Sequence, residues 1–293
     1  MAAHRPIYLD HHATTPIAPE VLDAMLPYFR EDFGNAASVS HQYGWRAAAA
    51  VDDARERLAD SLGARPEEIV FTSGATESNN LAILGAARAL RHRRDHLVTV
   101  VTEHASVLDP CGQLEREGFA VTRLAVDDQG MLDLSELADA IGERTALVSV
   151  MAANNEIGVL QPMEEVAQLC GERGALFHTD AAQAIGRVPL RVDRVEVDLL
   201  SLSGHKIYGP KGVGALYVRR RRPKLRLEPL LFGGGHQGGL RSGTLPVPLV
   251  VGMAAALELC LVEQDTEAAR LRELSEALRV RLQRELDGVL LNG

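Results

Sequence analysis

Short apolar runs that stop at a polar residue alternate with longer stretches of helical period along most of this chain. Segments 68–72 (EIVFT), 99–102 (TVVT), 119–126 (FAVTRLAV), 145–153 (TALVSVMAA), 177–180 (FHTD), 197–203 (VDLLSLS) and 214–220 (GALYVRR) have the length and near-continuous hydrophobicity of strands buried on both faces. Between them, 73–90, 104–114, 132–142 and 163–174 read as helices, with Leu134, Leu137 and Ile141 marking one apolar face. Strand-helix alternation of this kind predicts an α/β fold, with a mostly parallel sheet covered by helices on both faces.

Upstream, IYLD (7–10) is strand-like, HHATTPIAPE supplies turn and cap residues, and VLDAMLPYF (21–29) reads as a helix. The polar loop 33–45 leads into an Ala-rich helix over 47–63, with His41 either its N-cap or a residue at a site mouth. Downstream, 232–248 (FGGGHQGGLRSGTLPVP) is too glycine-rich for regular structure and must be fixed by what it binds or packs against. From Leu249 a long helix follows, on which Leu271, Leu274, Leu278 and Leu282 share one side and need a partner surface. VLLNG (289–293) looks like the beginning of a strand.

Composition narrows the classes. A chain of 293 residues, 46% hydrophobic and 24% charged, is an ordinary soluble mixture able to bury a large core. The formal charge of −9 argues against general nucleic-acid binding. The strongest basic run, Arg219 to Arg222 with Lys224 and Arg226, is either a solvated strand end or a docking site for an acidic partner. Cys111, Cys170 and Cys260 are far apart and lack metal-ligand spacing, and the adjacent His11 and His12 cannot share one strand face as a metal pair. No metal site is expected. No apolar run approaching the length of a bilayer span and no signal-peptide core stand out, so no membrane role and a cytoplasmic location are expected.

The chemistry concentrates at strand ends, where α/β sheets assemble their sites. Asp180 ends one strand, and Ser203, His205 and Lys206 lie at and beyond the end of the next. A lysine in a fixed loop can form a Schiff base with an aldehyde cofactor, and an aspartate can keep a pyridinium nitrogen protonated. The pair therefore points to pyridoxal 5'-phosphate, against the plainer reading of a turn lysine and a capping aspartate. Ser73, Gly74, Ala75 and Thr76 open a helix directly after a strand, a physical anion site suited to the cofactor phosphate. His104 falls just past TVVT at the same sheet edge, as a flat ring able to stack and move protons or as a helix cap. Asn155 and Gln183 carry amides that can donate to an oxygen of the cofactor ring.

HTDAAQ, SLSGHKIYGPKGVGALYVRR and GGGHQGGLRSGT, in that order after YLDHHATTP, resemble the cysteine desulfurases of the class V aminotransferase group, in the branch that supplies sulfur for iron–sulfur clusters and tRNA thiolation. The resemblance runs from Tyr8 to the last residue. It implies the fold of type I pyridoxal-phosphate enzymes, with a seven-stranded mixed sheet in the large domain. It implies catalytic roles for Lys206, His104 and Asp180, and cofactor contacts from Ala75, Thr76, His104, Asn155, Asp180, Gln183, Ser203, His205 and Lys206. It also implies a homodimer in which Thr244 reaches the neighbouring subunit's cofactor phosphate. L-cysteine would be the substrate, L-alanine the product, and an iron–sulfur scaffold or sulfur carrier the partner.

The same resemblance divides the chain into a segment near the substrate side (1–15), a large cofactor-binding domain (16–262), and a helix opening a small domain (263–293). Family members continue for roughly a hundred residues more, which carry the persulfide-forming cysteine and the arginine for the substrate carboxylate. None of the three cysteines here has a matching context. The expectation is a cofactor site nearly complete in a chain without its sulfur-accepting thiol. A related pyridoxal-phosphate lyase or aminotransferase, or a cofactor-binding scaffold without turnover, remains open at this level.

Overall fold

The computed structural model describes residues 6–220 and 225–293. Among these the chain runs through α1 (Pro19–Met25), α2 (Pro27–Arg30), α3 (Gln42–Leu62), β1 (Ile69–Thr72), α4 (Ala75–Leu90), β2 (His96–Val100), α5 (Ala105–Arg116) and β3 (Ala120–Leu124). It continues through α6 (Leu134–Ala140), β4 (Thr145–Ser149), α7 (Met163–Arg173), β5 (Leu176–Asp180), β6 (Leu199–Ser203), β7 (Gly214–Val218) and α8 (Val247–Glu285). The strands form one seven-stranded sheet in the order β1-β7-β6-β5-β4-β2-β3. All neighbours are parallel except β7, which runs antiparallel to both β6 and β1. The mostly parallel sheet expected from the alternation is therefore present.

Side-chain alternation along each strand feeds two cores. Leu147, Leu176 and Leu199 pack with α4 and α5 on one face, and Val148, Phe177 and Leu200 with the elements on the other. Because β2, β3, β4, β5 and β6 are parallel and β1 shares their direction across the reversed β7, six strands end at one edge. Everything that follows them in sequence is delivered there.

Glycine makes the closest approach at that edge possible. A Cβ on Gly214, at the start of β7, would lie 2.6 Å from the Gly74 Cα and 2.6 Å from the Leu202 carbonyl oxygen. Gly74 itself has φ 152°, which disfavours a side chain, and a Cβ there would meet nothing within 4 Å. The turn before α4 is thus pressed onto β7 on one side and open on the other.

The glycine-rich loop is held by side chains. Gln237 pairs with both backbone groups of Phe71, accepting its N–H and donating to its carbonyl, each at 2.7 Å. One residue so closes the free edge of β1, which would otherwise offer unpaired groups.

Several expectations need correction. IYLD forms no strand: Ile7 and Leu9 are 84% and 86% exposed, and without a ladder partner the backbone is left to water. VLLNG is likewise irregular and exposed. The helix expected over 21–29 is divided into α1 and α2 at Pro27, which takes the first position of the second helix. β4 stops at Ser149, and Asn154 turns the chain by accepting the Glu156 and Ile157 N–H groups on Oδ1.

α8 contains an 18-residue window of mean hydropathy 1.6, long and apolar enough to cross a membrane, so such a segment does exist. Its first half is a core helix: Val250, Met253, Ala254, Ala256 and Leu257 are buried, and it packs on α1 and α3. Leu271, Leu274, Leu278 and Leu282 are all exposed on its second half. Of the basic run, Arg221, Arg222 and Lys224 lie outside the described residues, while Arg219 pairs with Glu196 at 3.1 Å.

The Gly74–Gly214 contact carries a prediction. Gly214→Ala should cost about 1–3 kcal/mol of stability through overpacking, read as a lower urea midpoint, and should weaken anion binding at the 73–76 turn at the same time.

Candidate active site

A cavity of about 960 Å³ opens at the edge where the six strands end. Ala75, Thr76, His104, Asn155, Asp180, Gln183, Ser203, His205 and Lys206 all line it. Residues more than a hundred positions apart in sequence are brought together by the common direction of β1, β2, β4, β5 and β6. Thr244 is not part of the lining; it is exposed on the glycine-rich loop.

Asp180 forms the floor. It is 5% exposed, and burial raises its pKa above the ordinary aspartate range. Four influences oppose that rise: the Ala182 N–H donating to Oδ1 at 2.9 Å, Asn79 Nδ2 donating to Oδ2 at 2.7 Å, and the nearby His104 and Lys206. Asn79 also donates to Ser106 Oγ at 2.8 Å, and Ser106 Oγ lies 2.8 Å from His104 Nδ1. The Ser106 N–H donates to the same Nδ1, so the neutral imidazole carries its proton on Nε2. His104 is thereby both the cap of α5 and a wall of the cavity.

Lys206 stands in a short 3-10 turn, Gly204–Lys206, directly after β6. Burial lowers its pKa, with Arg187 adding to the fall and Asp180, Asp10 and Glu156 opposing it. Its Nζ donates to the His12 carbonyl, and the Arg187 guanidinium donates to the Lys206 carbonyl at 2.9 Å. Thr15 fixes the same turn from below, donating through both its N–H and Oγ1 to the His205 carbonyl at 2.9 Å. His205 Nδ1 lies 3.1 Å from Thr14 Oγ1. The DHHATT segment thus closes one side of the cavity by anchoring the lysine turn.

The anion turn differs from expectation at one position. The Ser73 N–H donates to Glu77 Oε2 at 2.8 Å, and Glu77 is held by Arg241 at 2.8 Å, so this amide is already committed. The N–H groups of Ala75 and Thr76, in the first turn of α4, have no intrahelical acceptor. The two amides are also partly engaged. Asn155 Nδ2 donates to Glu156 Oε1 at 2.9 Å and Gln183 Nε2 to the His12 carbonyl at 2.9 Å.

Pyridoxal phosphate fits this cavity on independent grounds. Ser203 Oγ and Gln183 Oε1 are buried without a hydrogen-bond partner, and both residues line the space. Gly74 keeps one side of it clear. A phosphate acceptor at the helix start and a polar ring above Asp180 would satisfy what the protein leaves open. Among the described residues no group of three His, Cys, Asp or Glu side chains is placed to hold a metal ion.

The sequence profile described as "Aminotransferase class-V" matches residues 7–293. The chain belongs to the class-V aminotransferase family. It is 54% identical over 292 residues to the cysteine desulfurase of Rattus norvegicus, covering 100% of this chain and 64% of that protein. Among solved structures, a "NifS-like protein" superposes with a TM-score of 0.92 at 40% identity, with 96% of this chain and 76% of that one covered. "SspA in complex with cysteine" gives 0.83 at 46% identity, covering 86% and 72%. The chain therefore spans just under two thirds of the rat relative's length. Family membership carries with it a pyridoxal-phosphate site.

Asn79, Ser106 and Met151 were not singled out in the sequence. Asn79 had a faint signal: with Ser78 it is a polar pair at the start of an otherwise apolar helix face, and both are fully buried. Removing its amide tests the floor. Asn79→Ala should destabilise the chain by roughly 1–3 kcal/mol at pH 7 by stripping a buried carboxylate of a donor. The lost bond favoured the ionised form, so Asp180 would retain its proton to still higher pH. Urea titrations should accordingly show a smaller loss as pH falls and the raised carboxyl takes up its proton with or without Asn79.

Proposed function

We propose that this chain carries the cofactor site of a cysteine desulfurase, converting L-cysteine to L-alanine and passing the sulfur to an acceptor thiol. The observation that carries this reading is Lys206 and Asp180 meeting in one cavity beneath the anion turn. The relatives' names, and a similar structure described as a complex with cysteine, point to the substrate.

Ala75, Thr76, Ser203 and His205 would hold the phosphate, and Asp180 the ring nitrogen. When bound, pyridoxal phosphate supplies an aldehyde that condenses with amines and a ring that takes up electrons from the substrate α-carbon. Asp180 would keep a proton on the ring nitrogen, with Lys206 and His104 nearby favouring its ionised form. The Lys206 amino group, eased toward its neutral form by burial, can take a proton at Nζ and return it to carbon. His104, with its N–H on Nε2, presents a second site for proton exchange across the cavity. Asn155 and Gln183 would orient the ring oxygen after exchanging their present partners.

The sulfur step consumes a thiol. Its balance is L-cysteine plus R–SH giving L-alanine plus R–S–SH. None of Cys111, Cys170 and Cys260 lines the cavity, and burial pushes their thiols up to about 12, about 12 and about 11. At neutral pH they stay protonated, and the thiolate is the reactive form. The acceptor is therefore a different thiol, and a sulfur carrier or an iron–sulfur scaffold is its proposed destination.

Thr244 is proposed to complete the phosphate site of a second copy of the chain, its exposure on the glycine-rich loop supporting that reading. The working division is 1–15, 16–262 and 263–293, in a cytoplasmic setting in keeping with three unpaired thiols.

Reconstitution with pyridoxal phosphate should give a visible absorbance band that L-cysteine perturbs, with alanine released when a thiol acceptor is added. Lys206→Ala should abolish the band. A band that persists in that variant, or one indifferent to L-cysteine, would remove the reading; binding without alanine release under any acceptor would favour a scaffold. A second measurement tests the shared site: mixing Lys206→Ala with Thr244→Ala chains should restore a fraction of the cofactor sites that each variant has lost alone.

A further inference from the structure

Glu103 is a buried carboxyl for which the proposed chemistry has no use. It lies in the turn after β2, one residue before His104, and is 6% exposed. Its Oε1 accepts the Met151 N–H, across the gap to the segment that follows β4. Close by, Asn154 Nδ2 donates to the Thr102 carbonyl at 2.9 Å. These two bonds tie residues 102–104 to 151–154, and both sides of the tie supply cavity lining, through His104 and Met151.

The second oxygen, Oε2, is buried and has no hydrogen-bond partner. The titratable groups that face Glu103 are Asp180 on β5 and the Cys111 thiol on α5, and neither is a cation. An ionised carboxylate with one oxygen unsolvated and a second carboxylate nearby is the costliest state available. The protonated acid keeps its acceptor bond at Oε1 and removes the like charge. Burial, the leading cause, and Asp180 both push its pKa well above the usual glutamate range.

We propose that Glu103 is a positioning residue held as an uncharged carboxylic acid, clasping the His104 turn to the Met151 segment and sparing Asp180 a second negative charge beside it. A neutral buried acid serving a neighbouring site is a known use of an apolar environment. Here the benefit is electrostatic as well as mechanical. A second negative charge beside Asp180 would draw a proton onto that carboxylate and deprive the ring nitrogen of its partner.

Two measurements test this, and only the second rests on the cofactor reading. In the first, the 293-residue chain and its Glu103→Gln variant are unfolded in urea without cofactor from pH 5 to pH 8. A native pKa raised above the unfolded value gives stability that is complete below the unfolded value and is lost as pH climbs toward the native one. Wild type should therefore lose stability relative to Glu103→Gln as pH rises. The ratio of their unfolding constants should change by up to tenfold per pH unit, about 1.4 kcal/mol. Parallel pH profiles would overturn the proposal.

In the second, the visible band of the reconstituted protein is titrated with pH. Glu103→Gln should match wild type between pH 6 and 8, while Glu103→Leu, which cannot accept the Met151 N–H, should bind pyridoxal phosphate about tenfold more weakly. A midpoint moved by a unit or more in Glu103→Gln would mean that a charge had been removed, and the proposal would fail. If Glu103→Leu does not fold, both measurements on Glu103→Gln still decide. Failure of wild type to take up cofactor would undo the functional reading and leave the unfolding result standing.

Discussion

A carboxylate buried at the end of the central strand β5 sets the terms for the site. Asp180 can stay ionised in that position only if its surroundings replace the water it has lost, and they do so by direct donation from Asn79 and Ala182. Those two donors come from different layers, α4 on one face of the sheet and the turn that continues β5. The sheet, the helix covering it and the loop beyond must all be in register for the charge to be tolerated. Asn79 then passes the constraint to Ser106 and His104, so one buried charge aligns three elements.

The opposing cation is treated differently. Lys206 is restrained mainly through its backbone: Arg187 holds its carbonyl and Thr15 holds that of His205, while the side chain rests on the His12 carbonyl. A carbonyl acceptor is a weaker partner than a carboxylate, so the amino group is kept in place without being locked as a salt bridge. A lysine in the proposed role, which must exchange partners, needs this looser hold. Asp180, by contrast, is bonded through both oxygens, in keeping with a charge that stays where it is.

Much of this was legible in the sequence because strand ends are. The apolar runs ending at Thr72, Asp180 and Ser203 fixed the sheet, and a parallel sheet sends such ends to one edge, so nine of the ten anticipated cofactor residues meet in one cavity. What could not be read was how hydrogen bonds are shared. Nothing in ATES shows that Glu77 takes the Ser73 N–H, since that depends on Arg241 arriving from a loop 164 residues away. Asn79 and Glu103 were invisible for a related reason. Their importance comes from burial beside particular partners, and a sequence period reports which face is buried but not which polar atoms meet there. IYLD and VLLNG failed for lack of a partner, because a strand is a property of a pair.

The glycine-rich loop joins these themes. Gln237 zips onto Phe71 at the sheet edge, Arg241 locks onto Glu77 at the anion turn, and α8 begins at Val247. Thr244 lies between the second and third of these anchors. Its exposure is therefore that of a residue displayed by a braced segment, not of a free loop tip. The same anchors bind β1 and the start of α4, so the segment presenting Thr244 outward is the one that shapes the turn before α4 within the chain. Any surface that packs on Thr244 would be coupled to that turn through Arg241, Glu77 and the Ser73 N–H, a path of two hydrogen bonds and one loop.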